Sequence, residues 1–204
     1  MGQLDLKLQE MGYVDVATLD STIVVDLMYA GDDNFVGRAM YDGLTHAYLH
    51  PDAARALAKA QSLLRESHPS YTLLVRDAAR PMSVQRTMYD KVRGTPMARY
   101  VSNPARGGGL HNYGVAVDIT ILDTDTGREL PMGTKVDHLG PEANIDREKE
   151  LVARGIMIEA ERQNRLLLRD VMTRAGFTPL RTEWWHFNLC SRATARLKYR
   201  RLDF

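Results

Sequence analysis

After Gly114 the chain alternates. Val115, Val117, Ile119 and Ile121 fall on one face of an extended segment, and Ala116, Asp118 and Thr120 on the other. One face is apolar enough for a core, while the other is kept small around a single acid. The pattern predicts a strand with one carboxylate on its polar face. His111 lies seven positions before that acid, with Gly114 between them where the backbone can turn. The first reading of this spacing is that His111 and Asp118 are two ligands of one metal, with a third further along.

Other elements follow from the same kind of pattern. Residues 4–28 mix short apolar runs with turns, and Thr22 to Tyr29 reads as a strand on its β-branched content. It leads into a loop, Ala30 to Gly37, containing Asp32 and Asp33. Pro51 opens a helix with Ala53, Ala56, Leu57, Ala60, Leu63 and Leu64 on one face, ending near Ser67-His68-Pro69. Tyr71 to Val75 is a short buried strand, and Met82 to about Val92 is a helix preceded by Pro81. Arg80 therefore sits on a strand-to-helix loop, where an ion pair with Asp77 is the plain structural alternative to a functional role.

Residues 94–109 form a loop ending in Gly107-Gly108-Gly109, and Asp123 to Gly127 a hairpin tip. Residues 131–155 lack a period and read as an irregular insertion; a segment that long is more often functional than idle. Ile158 to Ala175 is a helix with an apolar stripe of Leu167, Leu168, Val171, Met172 and Ala175, capped by Gly176. Phe177 to Arg181 is a connection, Glu183 to Leu189 a strand rich in aromatics, and the basic tail from Arg192 to Arg201 a solvated helical end.

Composition narrows the function. A net charge of +1 gives no support to nucleic-acid binding. One cysteine, Cys190, excludes an internal disulfide framework and a cysteine-rich zinc cluster. No apolar run approaches a membrane span, and no secretory leader is expected in the sequence as written. The chain would be cytoplasmic on that basis, or periplasmic had a leader been removed. Its 204 residues fit one α+β domain over 1–204.

Of six histidines, position singles out two. His111 leads into the strand carrying Asp118, and His186 lies among bulky aromatics three residues after Glu183. Two histidines and a carboxylate make the open three-ligand site that catalytic zinc requires. Glu183 would then be the general base. Residues three apart in an ideal strand face opposite ways, so Glu183 and His186 can share a site only if Glu183 sits in a turn or bulge. The same ligand set also holds non-haem iron in oxygenases. Those enzymes usually space the first histidine and acid by one residue, and have no need of a glutamate before the last histidine.

Gly109-Leu110-His111-Asn112-Tyr113-Gly114-Val115-Ala116-Val117-Asp118, followed by Glu183-Trp184-Trp185-His186, resembles the D-alanyl-D-alanine dipeptidases. These are zinc peptidases grouped with bacterial D,D-carboxypeptidases, and they share the hedgehog-type fold. The resemblance runs from about Asp26 to Leu189 and includes Asp26 to Tyr29, Asp33 to Gly37, Asp77 to Pro81 and Pro131 to Gly133. It implies an antiparallel sheet carrying the zinc site with helices on the other face. It further implies one zinc per chain on His111, Asp118 and His186, Glu183 as catalytic base and Arg80 as stabiliser of the scissile carbonyl oxygen. Tyr29 and Asp137 match positions that contact the substrate's amino group. Gly109 departs from the family serine that helps bind the substrate's amino end, so the resemblance supports hydrolysis more firmly than strict selection.

The expected function is zinc-dependent hydrolysis of a small D,D-dipeptide, D-Ala-D-Ala foremost. The alternatives are a D,D-carboxypeptidase acting on peptidoglycan stem peptides and a metal-bound peptidoglycan-binding module without catalysis.

Overall fold

The alternating segment after Gly114 forms the middle of the main sheet in the computed structural model, which describes residues 2–41 and 43–204. In chain order the elements are α1 (Gln3–Glu10), β1 (Val14–Asp15), α2 (Val16–Leu19), β2 (Val24–Val25), β3 (Tyr48–Leu49), α3 (Pro51–Ser67), β4 (Tyr71–Asp77) and α4 (Met82–Val92). There follow β5 (Ala116–Asp123), β6 (Arg128–Glu129), α5 (Glu148–Ala153), α6 (Glu159–Arg174), β7 (Thr178–Leu180), β8 (Glu183–Asn188) and α7 (Arg192–Lys198). The main sheet runs β2-β4-β5-β8-β7, with β6 paired to the far end of β5 as the expected hairpin. The pairings are antiparallel except β2 with β4, which is parallel. The fold is thus α+β on a mostly antiparallel sheet, as expected. None of its helices is long and apolar enough to cross a membrane, among the described residues.

Helix periodicity explains what lies behind the sheet. Ala53, Leu57, Ala60 and Leu64 of α3 and Leu168, Val171 and Met172 of α6 join Val117, Ile119 and Ile121 of β5 in one buried apolar cluster. Each leucine, valine, isoleucine or methionine among them contributes about 1.5–3 kcal/mol on burial. Asp118 and Thr120, on the opposite face of β5, are buried too.

The structure departs from the sequence reading at four places. A helix, α1, stands where short runs and turns were expected. The strand expected over residues 22–29 shrinks to β2, because the chain leaves the sheet edge after Asp26 donates to the Val75 carbonyl at 3.0 Å. Residues Met28–Ala30 then make a 3-10 turn that buries Tyr29. The connection before Glu183 contains β7, whose Pro179 is tolerated because the strand lies at the sheet edge. Residues 131–155 carry α5 and two 3-10 turns. They are pinned by the buried Arg165, which donates to the carbonyls of Met132 at 2.6 Å and Glu142 at 3.1 Å.

Gly114 sets where β5 begins. It closes the turn Leu110–Tyr113 at φ 64°, ψ 28°, and a Cβ there would lie 2.2 Å from Cε1 of Tyr13. Gly114→Ala adds left-handed strain to that clash and should destabilise the protein by about 2–4 kcal/mol. Gly127→Ala, at φ 67° with open space around it, should cost only about 1 kcal/mol. Urea unfolding of the two variants checks the difference, and equal costs would remove Tyr13 from the explanation.

Candidate metal and substrate site

Asp118 and His186 are direct cross-strand partners of β5 and β8. His111 reaches them from the turn just before β5. That turn is fixed at both ends: Gly114 closes it, and Asn112 ties its start down. The Asn112 amide accepts from the Gly109 N–H at 2.8 Å and donates to the Arg80 carbonyl at 2.8 Å. Gly108 must be glycine for this, since at φ 71° its Cβ would lie 2.3 Å from Oδ1 of Asn112.

The three side chains are buried and converge. His111 Nε2 and His186 Nδ1 are 3.2 Å apart. Asp118 lies 2.9 Å from His186 Nδ1 and 3.3 Å from His111 Nε2. Outer partners select those atoms. His111 Nδ1 faces the Ala78 carbonyl at 2.7 Å, and a carbonyl only accepts, so Nδ1 carries the proton and Nε2 the lone pair. His186 Nε2 lies 2.9 Å from Oδ1 of Asn188, which leaves Nδ1 facing inward. Two nitrogen lone pairs and a carboxylate turned on one point repel each other unless a cation lies between them. This donor set, with its supporting shell, fits a divalent metal of the zinc type. Burial alone would raise the Asp118 carboxyl, but His111 and His186 hold it well below the ordinary range.

Glu183 meets the geometric condition through a bulge. Pro179 of β7 pairs with Phe187 and the next residue, Leu180, with Glu183, so β8 carries extra residues across one step of its neighbour. Glu183 Oε2 comes within 4.0 Å of His186 Nδ1. Burial pushes the Glu183 carboxyl up to about 8; His186 opposes the rise, while Asp118 and Asp137 add to it.

A second bulge, in β4 between Val75 and Asp77, sets Asp77 opposite Asp118. Arg80 does form the ion pair with Asp77, at 2.9 Å from Nε and 2.5 Å from Nη2. The same guanidinium is 3.6 Å from Asp118 and donates to Gln85 at 3.0 Å. Burial alone would favour its neutral form, but Asp77 holds it firmly charged. Tyr41 donates to the other Asp77 oxygen at 2.5 Å. The pairing with Asp77 and the lining of the site are thus compatible.

A cavity of about 390 Å³ opens over these groups, lined also by Tyr29, Asp137, Ser102 and Arg192. Asp137 has φ 69°, the single non-glycine residue with positive φ among the described residues. The residue is partly exposed, yet its Oδ2 is sealed from solvent and has no hydrogen-bond partner. Burial raises its carboxyl to about 7, a nearby Tyr29 hydroxyl lowers it, and the Asp118 charge raises it further. Sequence reasoning missed Ala78, Asn188, Tyr41, Gln85, Ser102 and Arg192. The Ala78 contribution is a backbone carbonyl, which no residue type reveals.

All seven residues singled out from the sequence are therefore near one another: three converge, Glu183 lies beside them, and Arg80, Tyr29 and Asp137 line the same cavity. A family model described as D-ala-D-ala dipeptidase matches residues 9–203. The D-alanyl-D-alanine dipeptidase of Escherichia coli (strain K12) is 34% identical over 86% of this chain and 83% of its own. The enzyme of that name from Enterococcus faecalis (strain ATCC 700802 / V583) is 30% identical over 80% and 84%. Among solved structures, the LdcB LD-carboxypeptidase aligns at a TM-score of 0.45 and 17% identity, over 78% of this chain and 67% of its own.

The Asp137 carboxyl gives a pH test. Its folded pKa lies above the unfolded value, so its penalty is absent below about pH 4, grows as pH rises and levels off above about pH 7. Asp137→Asn removes the penalty. In chelator-treated protein the variant should gain roughly 1–3 kcal/mol on the parent between pH 5 and pH 8, read by urea unfolding. A difference that stays constant with pH would mean that the carboxylate is well solvated.

Proposed function

The chain belongs to the D-Ala-D-Ala dipeptidase family of peptidases, and from that premise we propose that it hydrolyses D,D-dipeptides, D-Ala-D-Ala foremost, with one zinc ion per chain. The observation that carries this reading is the convergence of His111, Asp118 and His186 beside a buried carboxylate, Glu183, whose pKa is raised towards neutrality. His111 through Nε2, His186 through Nδ1 and the Asp118 carboxylate would hold the ion. Zinc, when bound, supplies the acidity that makes water a usable nucleophile near neutral pH.

The remaining work falls to the chain's own groups. Glu183 takes the proton of the attacking water and hands it to the departing amine, a role suited to a carboxylate titrating near the working pH. Burial keeps that proton from leaking to solvent. Arg80 stabilises the negative charge that develops on the carbonyl oxygen, and Asp77 and Gln85 fix its direction. The unpartnered Asp137 oxygen, with Tyr29 beside it, receives the substrate's ammonium. That clamp favours a dipeptide over a longer peptide, because chain growth on the amino side would bury an uncharged amide against a carboxylate.

Glu183→Gln should lower kcat by ~10²–10⁴ with zinc content unchanged. Arg80→Ala should lower it by ~10²–10³. A zinc-loaded screen over D,D-, L,D- and L,L-dipeptides should return the D,D class first, with alanine released faster from a free dipeptide than from a stem pentapeptide. Preference for the pentapeptide would make the protein a carboxypeptidase. Zinc-loaded protein inactive on every substrate would favour a binding module, and a Glu183→Gln variant of near-normal activity would refute the mechanism.

A further inference from the structure

Two arginines line the cavity, and they differ in what they face. Arg80 is committed to Asp77, Gln85 and Asp118. Arg192, the first residue of α7, has no acidic partner among the described residues; its Nη2 donates to Oγ of Ser102 at 2.9 Å. Ser102 is itself held. Its carbonyl accepts from Gln85 Nε2 at 2.8 Å, and Gln85 accepts from Arg80 at 3.0 Å. A chain of hydrogen bonds thus runs from the buried arginine to the outer one along the cavity wall.

Gly109 makes room for this arrangement. Its backbone is extended, at φ −110° and ψ −177°, a conformation open to any residue. What a side chain would meet is Ser102: a Cβ on Gly109 would lie 3.0 Å from its Oγ and 3.3 Å from its Cβ. The space beside the histidine turn is therefore filled by the Ser102 hydroxyl, which in turn aims Arg192.

We propose that Arg192, positioned by Ser102 in the space left by Gly109, is the anchor for the free carboxylate of the substrate. The inference rests on the dipeptidase reading above and extends it to the other end of the same molecule. A dipeptide with free ends carries an ammonium and a carboxylate. The cavity lining holds Asp118, Asp137 and Glu183, and its buried arginine is already neutralised. An incoming carboxylate is best met by a cation not already committed to an acid of the chain, and a guanidinium matches it with two parallel N–H donors. Arg192 is the group that meets both needs.

The test uses zinc-loaded Glu183→Gln protein, in which turnover does not interfere. Calorimetry compares D-Ala-D-Ala with its C-terminal amide. The acid should bind ~10–100-fold more tightly, and adding Arg192→Gln should remove that gap while leaving affinity for the amide unchanged. Gly109→Ser, which the backbone accepts but which displaces Ser102, should narrow the gap. A parent variant that does not distinguish acid from amide, or a gap that survives Arg192→Gln, overturns the proposal. Dipeptide hydrolysis by the wild-type protein, measured in parallel, separates the two readings. If hydrolysis is present and the gap is unmoved by Arg192→Gln, only the anchor falls. If hydrolysis is absent and Arg192→Gln closes the gap, the dipeptidase reading falls and the anchor stands.

Discussion

The Arg80–Asp77 pair permits an arrangement that the sheet would otherwise reject. Asp77 and Asp118 are register partners on adjacent strands, and like charges directly opposite each other are destabilising. Arg80 lies against both, and Tyr41 takes the remaining oxygen of Asp77. Removing one partner of a buried ion pair typically costs about 3–5 kcal/mol, because the other is left charged and unpaired. His111 and His186 hold Asp118 ionised, and the pair keeps the facing Asp77 from adding an unscreened like charge beside it. The same contact that looks merely structural relieves the repulsion beside a carboxylate proposed to bind metal and sets the direction of the arginine facing the cavity.

Irregularities in the sheet do the remaining positioning. A regular ladder would send Glu183 and His186 to opposite faces and would put the β4 carboxylate out of register with Asp118. One bulge in each of two strand pairs corrects both. The helices behind the sheet supply the rigidity. The apolar alternation of β5 fastens one face to α3 and α6, so its other face can hold charged groups without yielding.

How much of this the sequence displays depends on whether the cause is local. The strand after Gly114 and the helices Pro51–Ser67 and Met82–Val92 are written in periodicity and in proline and glycine signals, and they are where those signals put them. The fold α1 adds at the start, the shortening of β2 and the edge strand β7 are set by tertiary contacts, and no local pattern announces them. The site divides the same way. Histidine and acid spacing points to His111, Asp118 and His186, and the need for a bulge at Glu183 can be deduced, although the bulge cannot be seen. Gln85, Asn188 and Ser102 are ordinary polar residues until the fold brings them to the cavity, and the Ala78 carbonyl carries no sequence signal at all.

Gly109 shows why chemistry and recognition need separate arguments at such a site. The proposed metal ligands and Glu183 come from paired strands and a locked turn, where a shift of one residue would scatter them, and Arg80 comes from the loop after β4, fixed by Asp77 and Gln85. The groups proposed for recognition come from loops: Asp137 from the segment pinned by Arg165, Ser102 from the glycine-rich stretch, and Arg192 from the start of α7. A side chain lost at Gly109 leaves the turn intact, because its N–H still bonds Asn112 and its backbone angles are unstrained. What changes is which neighbour fills the gap. Substitution at that position can therefore retune which end of a ligand is gripped, and by what, without disturbing the ligand set one turn away. Substitution at Gly108 or Gly114 could not, because there the glycine itself holds His111 in place.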